Sequence, residues 1–340
     1  MKHLNSLKRL NYLHFLKVAI GSTIAVLIAK YVNLEYATSA GIITLLTIQT
    51  TKKETLQVSI KRVISFIIAM CLSSFLFLQF GFYTVIYGVF LLFFIILCHQ
   101  FGLEVGITSN AVLITHILGQ GEVNSKIILN EVYILLIGAS IGVIINLFIP
   151  KKIKTYKEKQ KSIDGKMKEV LLHFADEIIT HVPEEEEEIL NQLIHEIEQA
   201  IAIAKQVLYN SFDSDTDYYL KYMEMRKNQS LLLKDIHSHI HRIGEIPSQA
   251  YEIASFIRHI SDSYHEYNNA TRLLDEVSIL RNNFKKQALP VTRQEFESRA
   301  VLFQIFHDFE YFLKIKYNFA NSLSERQKKF YWKESDELLQ

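Results

Sequence analysis

The sequence predicts an all-α protein in two parts. A six-span helical membrane domain occupies residues 1–150, and a cytoplasmic α-helical bundle occupies residues 151–340. Three observations carry that prediction. The first 149 residues contain no proline and no aspartate and are filled by apolar stretches. A lysine run (Lys151, Lys152, Lys154, Lys157, Lys159, Lys161) follows directly after Pro150. Beyond it, apolar residues recur at helical spacing with no strand alternation.

A helix needs about 20 apolar residues to cross roughly 30 Å of hydrocarbon. Spans are expected near 14–31, 35–51, 61–80, 82–98, 102–119 and 130–149. The second is short and threonine-rich, and the fifth carries Glu104, Asn110 and His116. Both suit tilted or re-entrant segments, whose polar groups must face protein or a water-filled cavity. The first span has a basic flank (Lys8, Arg9, Lys17) but no small-residue cleavage site after it, so it reads as a span and not a leader. Orientation follows the Lys/Arg bias of the loops. Lys2, Lys8 and Arg9 precede the first span, Lys52, Lys53, Lys61 and Arg62 lie between the second and third, and the lysine run follows the sixth. The opposite side has only Lys30 and Lys126, which puts both termini in the cytoplasm of a bacterial plasma membrane.

The 37 basic and 36 acidic residues nearly cancel over the whole chain, but residues 1–150 hold ten Lys/Arg against five Glu, and residues 151–340 hold 27 against 31 Asp/Glu. Neither part is block-basic, so a nucleic-acid partner is not expected. Cys71 and Cys98 lie in apolar segments and imply packing residues, not a disulfide framework.

The second part divides at breaks. A first helix runs to about His181. Pro183 suits a first helical position, with Glu184–Glu188 as a solvated helix start. Further breaks fall at Ser211–Asp217, Gly244–Pro247 and Leu289–Pro290. After the last, Thr292 and Glu295 have capping-box spacing before a final helix. About five helices result. Asp213, Asp215, Asp217 and Glu224 match calcium-loop spacing, but Tyr218 stands where the sharp turn needs glycine. Of His237, His239 and His241, only His237 and His241 share a helix face, and spacing fixes no third ligand, so a histidine cluster without metal is expected. No phosphate loop or nucleophile motif appears. Neither enzymatic activity nor a cofactor is expected.

Ionisable residues inside a membrane mark a pathway or a structural pair. Glu131, Gly138, Gly142 and Asn146 fall in a stripe about 80° wide at 3.6 residues per turn. Gly138 and Gly142 form a GxxxG spacing that admits another backbone closely. Two readings stand: a helix lining a path with Glu131 at its outer mouth, or simple packing with Glu131 in interfacial water. Glu104 and His116 would stand about 18 Å apart on one helix, either as proton carriers or as residues at opposite interfaces. Asn110 between them must bond within the bundle. Lys17 and Arg62 lie one turn inside the cytoplasmic boundary, where such side chains snorkel to headgroups or meet an anionic substrate.

Asn130-Glu131 followed by Gly138, Gly142, Asn146 and Pro150 resembles the end of the membrane domain in the bacterial aromatic acid exporter family, part of the wider fusaric-acid-resistance-like group. Gln49-Thr50-Thr51 followed by Arg62 resembles that family's Gln-Pro-Thr…Arg signature, with Thr50 in place of proline. Tyr219, Tyr222, Met225, Arg226 and Gln229 resemble the Tyr-x-x-Tyr-x-x-Met-Arg-x-x-Gln pattern of the family's C-terminal domain. Leu289, Pro290, Thr292, Arg293, Glu295, Phe296, Glu297, Arg299 and Ala300 resemble its Leu-Pro-x-Thr-Arg-x-Glu-Phe-Glu-x-Arg-Ala segment. The resemblance spans nearly the whole chain and implies efflux of aromatic or other organic carboxylic acids. With no ATP-binding motif, proton coupling or passive anion flow is expected. The alternatives are a membrane sensor or scaffold whose bundle binds a partner or ligand, and a gated organic-anion channel. The expected partners are the lipid bilayer, a small organic acid and a second copy of the chain, since Gly21, Gly138 and Gly142 lie on small-residue packing faces.

Overall fold

The computed structural model describes residues 12–148, 152–180 and 186–332, and every regular element among them is helical. The chain divides into two compact units: Met1–Pro150 together with Tyr209–Phe212, and Lys151–Leu208 together with Asp213–Gln340.

The first unit contains α1 (Tyr12–Tyr31), α2 (Thr38–Thr47), α3 (Lys52–Phe80), α4 (Thr84–Gln100), α5 (Ile107–Gln120) and α6 (Ser125–Leu147). Each expected span therefore has its helix, but the bounds move. His14–Tyr31, Lys52–Phe80 and Ser125–Leu147 are long and apolar enough to cross a membrane, whereas α2 and α4 are shorter apolar helices. The third helix begins nine residues earlier than expected because Thr51 caps it, its hydroxyl accepting from the Glu54 amide. Lys52, Lys53, Lys61 and Arg62 thus ride on the first turns of α3 and are not in a loop. The fifth segment opens with a 3-10 turn, Glu104–Gly106, and only then becomes α5.

Outward faces of this unit are apolar. α4 buries Phe90, Phe94 and Cys98 at a four-residue spacing and leaves Val85, Leu92, Phe93, Ile95 and Ile96 exposed. Such a surface suits lipid, because large contiguous apolar patches are rare on soluble monomers.

The centre of the unit is the short helix α2, ten residues or about 15 Å long. It packs between α1 and α6, and glycines permit the approach. A Cβ added at Gly41 would meet Val26 at 2.6 Å and the Ser22 carbonyl oxygen at 3.0 Å. At Gly138 it would stand 2.7 Å from the Ala40 carbonyl oxygen, and at Gly142 2.8 Å from the Thr47 side chain. Gly21 faces Ile145, Ile48 and Thr44 in the same manner. The GxxxG stripe is therefore filled by α2 of the same chain. It neither lines an open path nor argues for a homodimer contact.

The second unit contains α7 (Ile153–Thr180), α8 (Glu186–Tyr209), α9 (Asp217–Ile240), α10 (Ser248–Asp262), α11 (Thr271–Phe284), α12 (Arg293–Ser322) and α13 (Glu325–Tyr331). These are seven helices among the described residues where about five were expected. The additional break falls at Ser263–Ala270, where the Asn268 and Asn269 side chains accept from the Ala270 and Thr271 amides and Ala270 adopts φ +61°. The other extra helix, α13, has a full capping box between Ser324 and Gln327. One core holds the unit, with Tyr156, Met167, Phe174, Leu193, Leu233, Ile257, Phe306 and Phe309 among its buried members. The readings placed on Pro183 and Pro150 lie outside the described residues.

Candidate functional site

In the first unit, buried polar groups gather in two clusters held by α2 at its two ends. The first joins three helices. His116 of α5 meets Glu131 of α6 through Nδ1 and Oε2 at 2.8 Å, and its Nε2 lies 3.2 Å from the Ser39 hydroxyl of α2. Tyr36 stacks on the imidazole at 4.1 Å with planes 5° apart, and the Asn130 amide donates to the other Glu131 oxygen at 3.0 Å. Glu131 is 1% exposed and His116 8%. Every polar atom of the imidazole and the carboxylate is thus engaged, which such burial requires. A cleft of about 630 Å³, lined by Glu35, Tyr36, Gln120, Glu122 and Asn130 among others, reaches Glu131. An aqueous approach to a buried carboxylate and imidazole is what proton exchange needs.

This bears on two expectations. Glu131 is not an interfacial residue in water but a buried partner of His116. Glu104, read either as a proton carrier or as a residue at an interface, is exposed on the 3-10 turn and pairs with His99 at 3.1 Å, which suits the second reading. The turn carries it off the helix bearing His116, so Glu104 leaves the candidate site.

The second cluster surrounds the unwound stretch between α2 and α3. Its carbonyl groups lack helical partners, and side chains replace them. The Asn146 amide donates to Gln49 O and Thr51 O, both at 3.1 Å, and to the Thr55 hydroxyl. The Gln49 amide nitrogen donates to the Thr55 hydroxyl at 3.0 Å, and its side chain donates to Leu46 O. Arg62 Nη2 donates to Leu46 O at 3.3 Å and to Val105 O at 3.1 Å. The Gln49…Arg62 signature therefore locks the connection between α2 and α3, and it forms with Thr50 in the proline position.

Arg62 does not snorkel. It is 2% exposed, and its Nε and Nη1 have no partner among the described residues. Asn110 stands beside it, donating to Arg62 O at 3.1 Å and the Ser65 hydroxyl at 2.7 Å, with its own carbonyl oxygen unpartnered among the described residues. The guanidinium thus keeps spare donors, with no carboxylate paired to it among the described residues, and such donors suit an anion. Lys17 behaves more simply, donating to Phe148 O at 3.0 Å at an exposed position.

The second unit has its own buried polar network, built on the residues singled out in its sequence. Arg226, 1% exposed, donates from Nε to Asp164 at 2.9 Å, from Nη2 to the Tyr222 hydroxyl at 2.7 Å and from Nη1 to Gln229 at 2.8 Å. Tyr222 donates to the other Asp164 oxygen at 2.7 Å, and Gln229 donates to Phe312 O at 3.0 Å. The guanidinium also lies 4.2 Å from the Tyr264 ring centre. Burial alone would lower its pKa, but Asp164 and Tyr222 raise it above the usual value. Nearby, Lys316 donates to Glu266 O at 2.6 Å, and burial together with the Arg226 charge pushes its pKa well down. Sequence reading missed Asp164, Tyr264, Glu266 and Lys316, which single motifs cannot reveal because they come from α7, from the connection between α10 and α11, and from α12.

The remaining motif residues cap α12. Thr292 accepts from the Glu295 amide at 3.0 Å, and Glu295 accepts from the Val291 amide at 2.8 Å. Arg293 pairs with exposed Glu297 at 2.8 Å, and Arg299 donates to Ala288 O beyond Pro290 at 2.7 Å. Asp213 and Asp215 bind Arg326, and Asp217 binds Lys221 and Gln327, so the calcium-like spacing is a set of ion pairs.

The aromatic acid exporter family member 1 model matches residues 12–149, and the aromatic acid exporter C-terminal domain model matches residues 152–317. The uncharacterized protein YqjA of Bacillus subtilis (strain 168) is 28% identical over 315 residues, covering 92% of this chain and 97% of that one. A membrane protein from Clostridium difficile 630, known from a crystal structure, aligns at 30% identity and a TM-score of 0.42, covering 48% of this chain and 98% of that one. The two models between them account for both units, and the chain belongs to the aromatic acid exporter family.

Proposed function

We propose that the protein exports aromatic or other organic carboxylates across the bacterial plasma membrane, with six spans and both termini in the cytoplasm. The observation that carries this reading is Arg62, a buried cation whose Nε and Nη1 have no partner among the described residues. An unpaired charge is costly in a membrane interior. A carboxylate would supply the countercharge, accepting two charge-assisted hydrogen bonds. The positive-inside bias supports the orientation, since the basic residues cluster at the ends of α1, α3 and α6 that would face the cytoplasm. On that orientation Arg62 would stand at the inner end of the path and the His116–Glu131 pair toward the outer end. No ATP-binding motif is present, and the buried pair suits coupling to protons.

Purified protein in proteoliposomes loaded with a hydroxybenzoate tests the reading. Saturable efflux is expected, with none for the neutral hydroxybenzyl alcohol. Arg62→Gln removes the charged donors, and a loss of about 1.5–3 kcal/mol per charge-assisted bond raises KM at least about tenfold if one bond is lost and at least about a hundredfold if both are. Arg62→Lys should recover part of that loss. Hydroxybenzoate efflux with wild-type KM in Arg62→Gln defeats the assignment, and single-channel currents would replace a transporter with a gated channel.

A further inference from the structure

His237 and His241 close the last turn of α9 on one face, as their spacing requires. What the spacing did not show is the carboxylate opposite them. Glu177, near the end of α7, presents Oε2 4.0 Å from His237 Nε2 and Oε1 3.4 Å from His241 Nδ1. The two Nε2 atoms are 3.0 Å apart, and one donor atom from each residue lies within 4.8 Å of the others. Zinc bonds of about 2.0–2.2 Å in a tetrahedron place ligand atoms roughly 3.3–3.5 Å from one another. These separations involve both nitrogens of His241 and both oxygens of Glu177, and a single donor set, within 4.8 Å, needs only small side-chain rotations to close on an ion.

The surroundings suit a held ion. Glu177 and His237 are buried, and the Phe174 ring, one turn before Glu177 on α7, stacks on His237 at 5.7 Å with planes 6° apart. Two ligands are thereby fixed in orientation. His241 is the accessible one, with a side chain 42% exposed. It directs Nδ1 at the carboxylate and Nε2 at His237, and a ring rotation lets one nitrogen serve the ion. Its open side leaves a fourth position for water. His239 belongs to another face and pairs with Asp308 at 3.0 Å. Two imidazoles and one carboxylate select transition metals, whereas calcium and magnesium need more oxygen ligands.

We propose that Glu177, His237 and His241 form a three-ligand site for a divalent transition metal, best suited to zinc, that clamps α7 to α9. The test uses the full chain in detergent, stripped with a chelator and titrated with cobalt(II). One equivalent is expected, with a tetrahedral visible absorption band that zinc displaces, together with a rise in Tm. Glu177→Gln and His241→Ala should each weaken binding at least tenfold, and His239→Ala should leave it unchanged. His241 is exposed, so its variant keeps the test valid if His237→Ala fails to fold. No saturable band in the wild-type protein, or a band that survives both Glu177→Gln and His241→Ala, overturns the proposal.

Discussion

Glu131→Gln is the sharpest perturbation of the membrane unit. The amide keeps the shape of the side chain and can still accept from Asn130, but it no longer takes up a proton. In the native protein His116 Nδ1 lies 2.8 Å from Glu131 Oε2, while Ser39 engages the other ring nitrogen. In the proposed cycle the pair carries one proton. A pH difference of one unit corresponds to about 1.36 kcal/mol per proton, and the same energy is a factor of about ten in a concentration ratio. With the membrane potential clamped to zero, proteoliposomes holding wild-type protein should build a hydroxybenzoate ratio of about tenfold across one pH unit. Glu131→Gln should hold that ratio near one, while exchange of labelled for unlabelled substrate continues. A variant that still concentrates substrate tenfold refutes the role of the pair. A wild-type ratio near a hundred requires a second proton and refutes the stoichiometry.

Three further outcomes follow from packing and charge. Gly138→Ala puts a Cβ 2.7 Å from a backbone oxygen and from Ile43 Cβ, an overpacking worth about 1–3 kcal/mol; its Tm should fall. Gly88→Ala, with nothing within 4 Å, should be neutral or stabilising. Arg226→Ala leaves Asp164 and Gln229 without their buried partner and should cost about 3–5 kcal/mol, read as a lower midpoint for the second unit in denaturant; an unchanged midpoint would remove the network from the stability of the fold. Lys316→Met addresses pH. The folded pKa of Lys316 lies well below 10.5, so between those values the unfolded chain binds more protons and stability rises with pH. The penalty is fully present below the folded value and vanishes above 10.5. The methionine variant should gain most at neutral pH and lose that part of the slope, and identical pH profiles would contradict the burial argument.

How much of this was legible in the sequence depends on whether a signal was local. The alternation of apolar stretches and the lysine run gave the two-part organisation, and the Glu131–Gly138–Gly142–Asn146 stripe did mark the face of α6 that packs on α2 and carries buried polar groups. The start of α3 was also legible: Thr51-Lys-Lys-Glu54 has capping-box spacing, but its lysines were read as a loop. The partners were not legible. His116 meets Glu131 and not Glu104 because a 3-10 turn carries Glu104 out of the helix, and Gly106, inside that turn, gives little warning of it. Glu177 completes the face shared by His237 and His241 from sixty positions away, where no spacing rule reaches. Asp164, Glu266 and Lys316 are hidden for the same reason, since each looks like an ordinary surface charge until the helices are packed.

The two membrane clusters are related through α2. Ser39, near its first turn, touches His116, and Leu46, near its last, accepts from Arg62. The protonatable pair and the cation proposed for the substrate therefore hold opposite ends of one helix, about 10 Å apart by the rise over seven residues. α2 packs directly on the Gly138–Gly142 face of α6, with the Thr44 hydroxyl 2.9 Å from Gly138 O. Protonating the pair changes the bond at the Ser39 end. A carboxylate at Arg62 competes with Leu46 O at the other end. In the proposed cycle neither event needs to reach the other through the bundle at large, because both bias the position of the same short element.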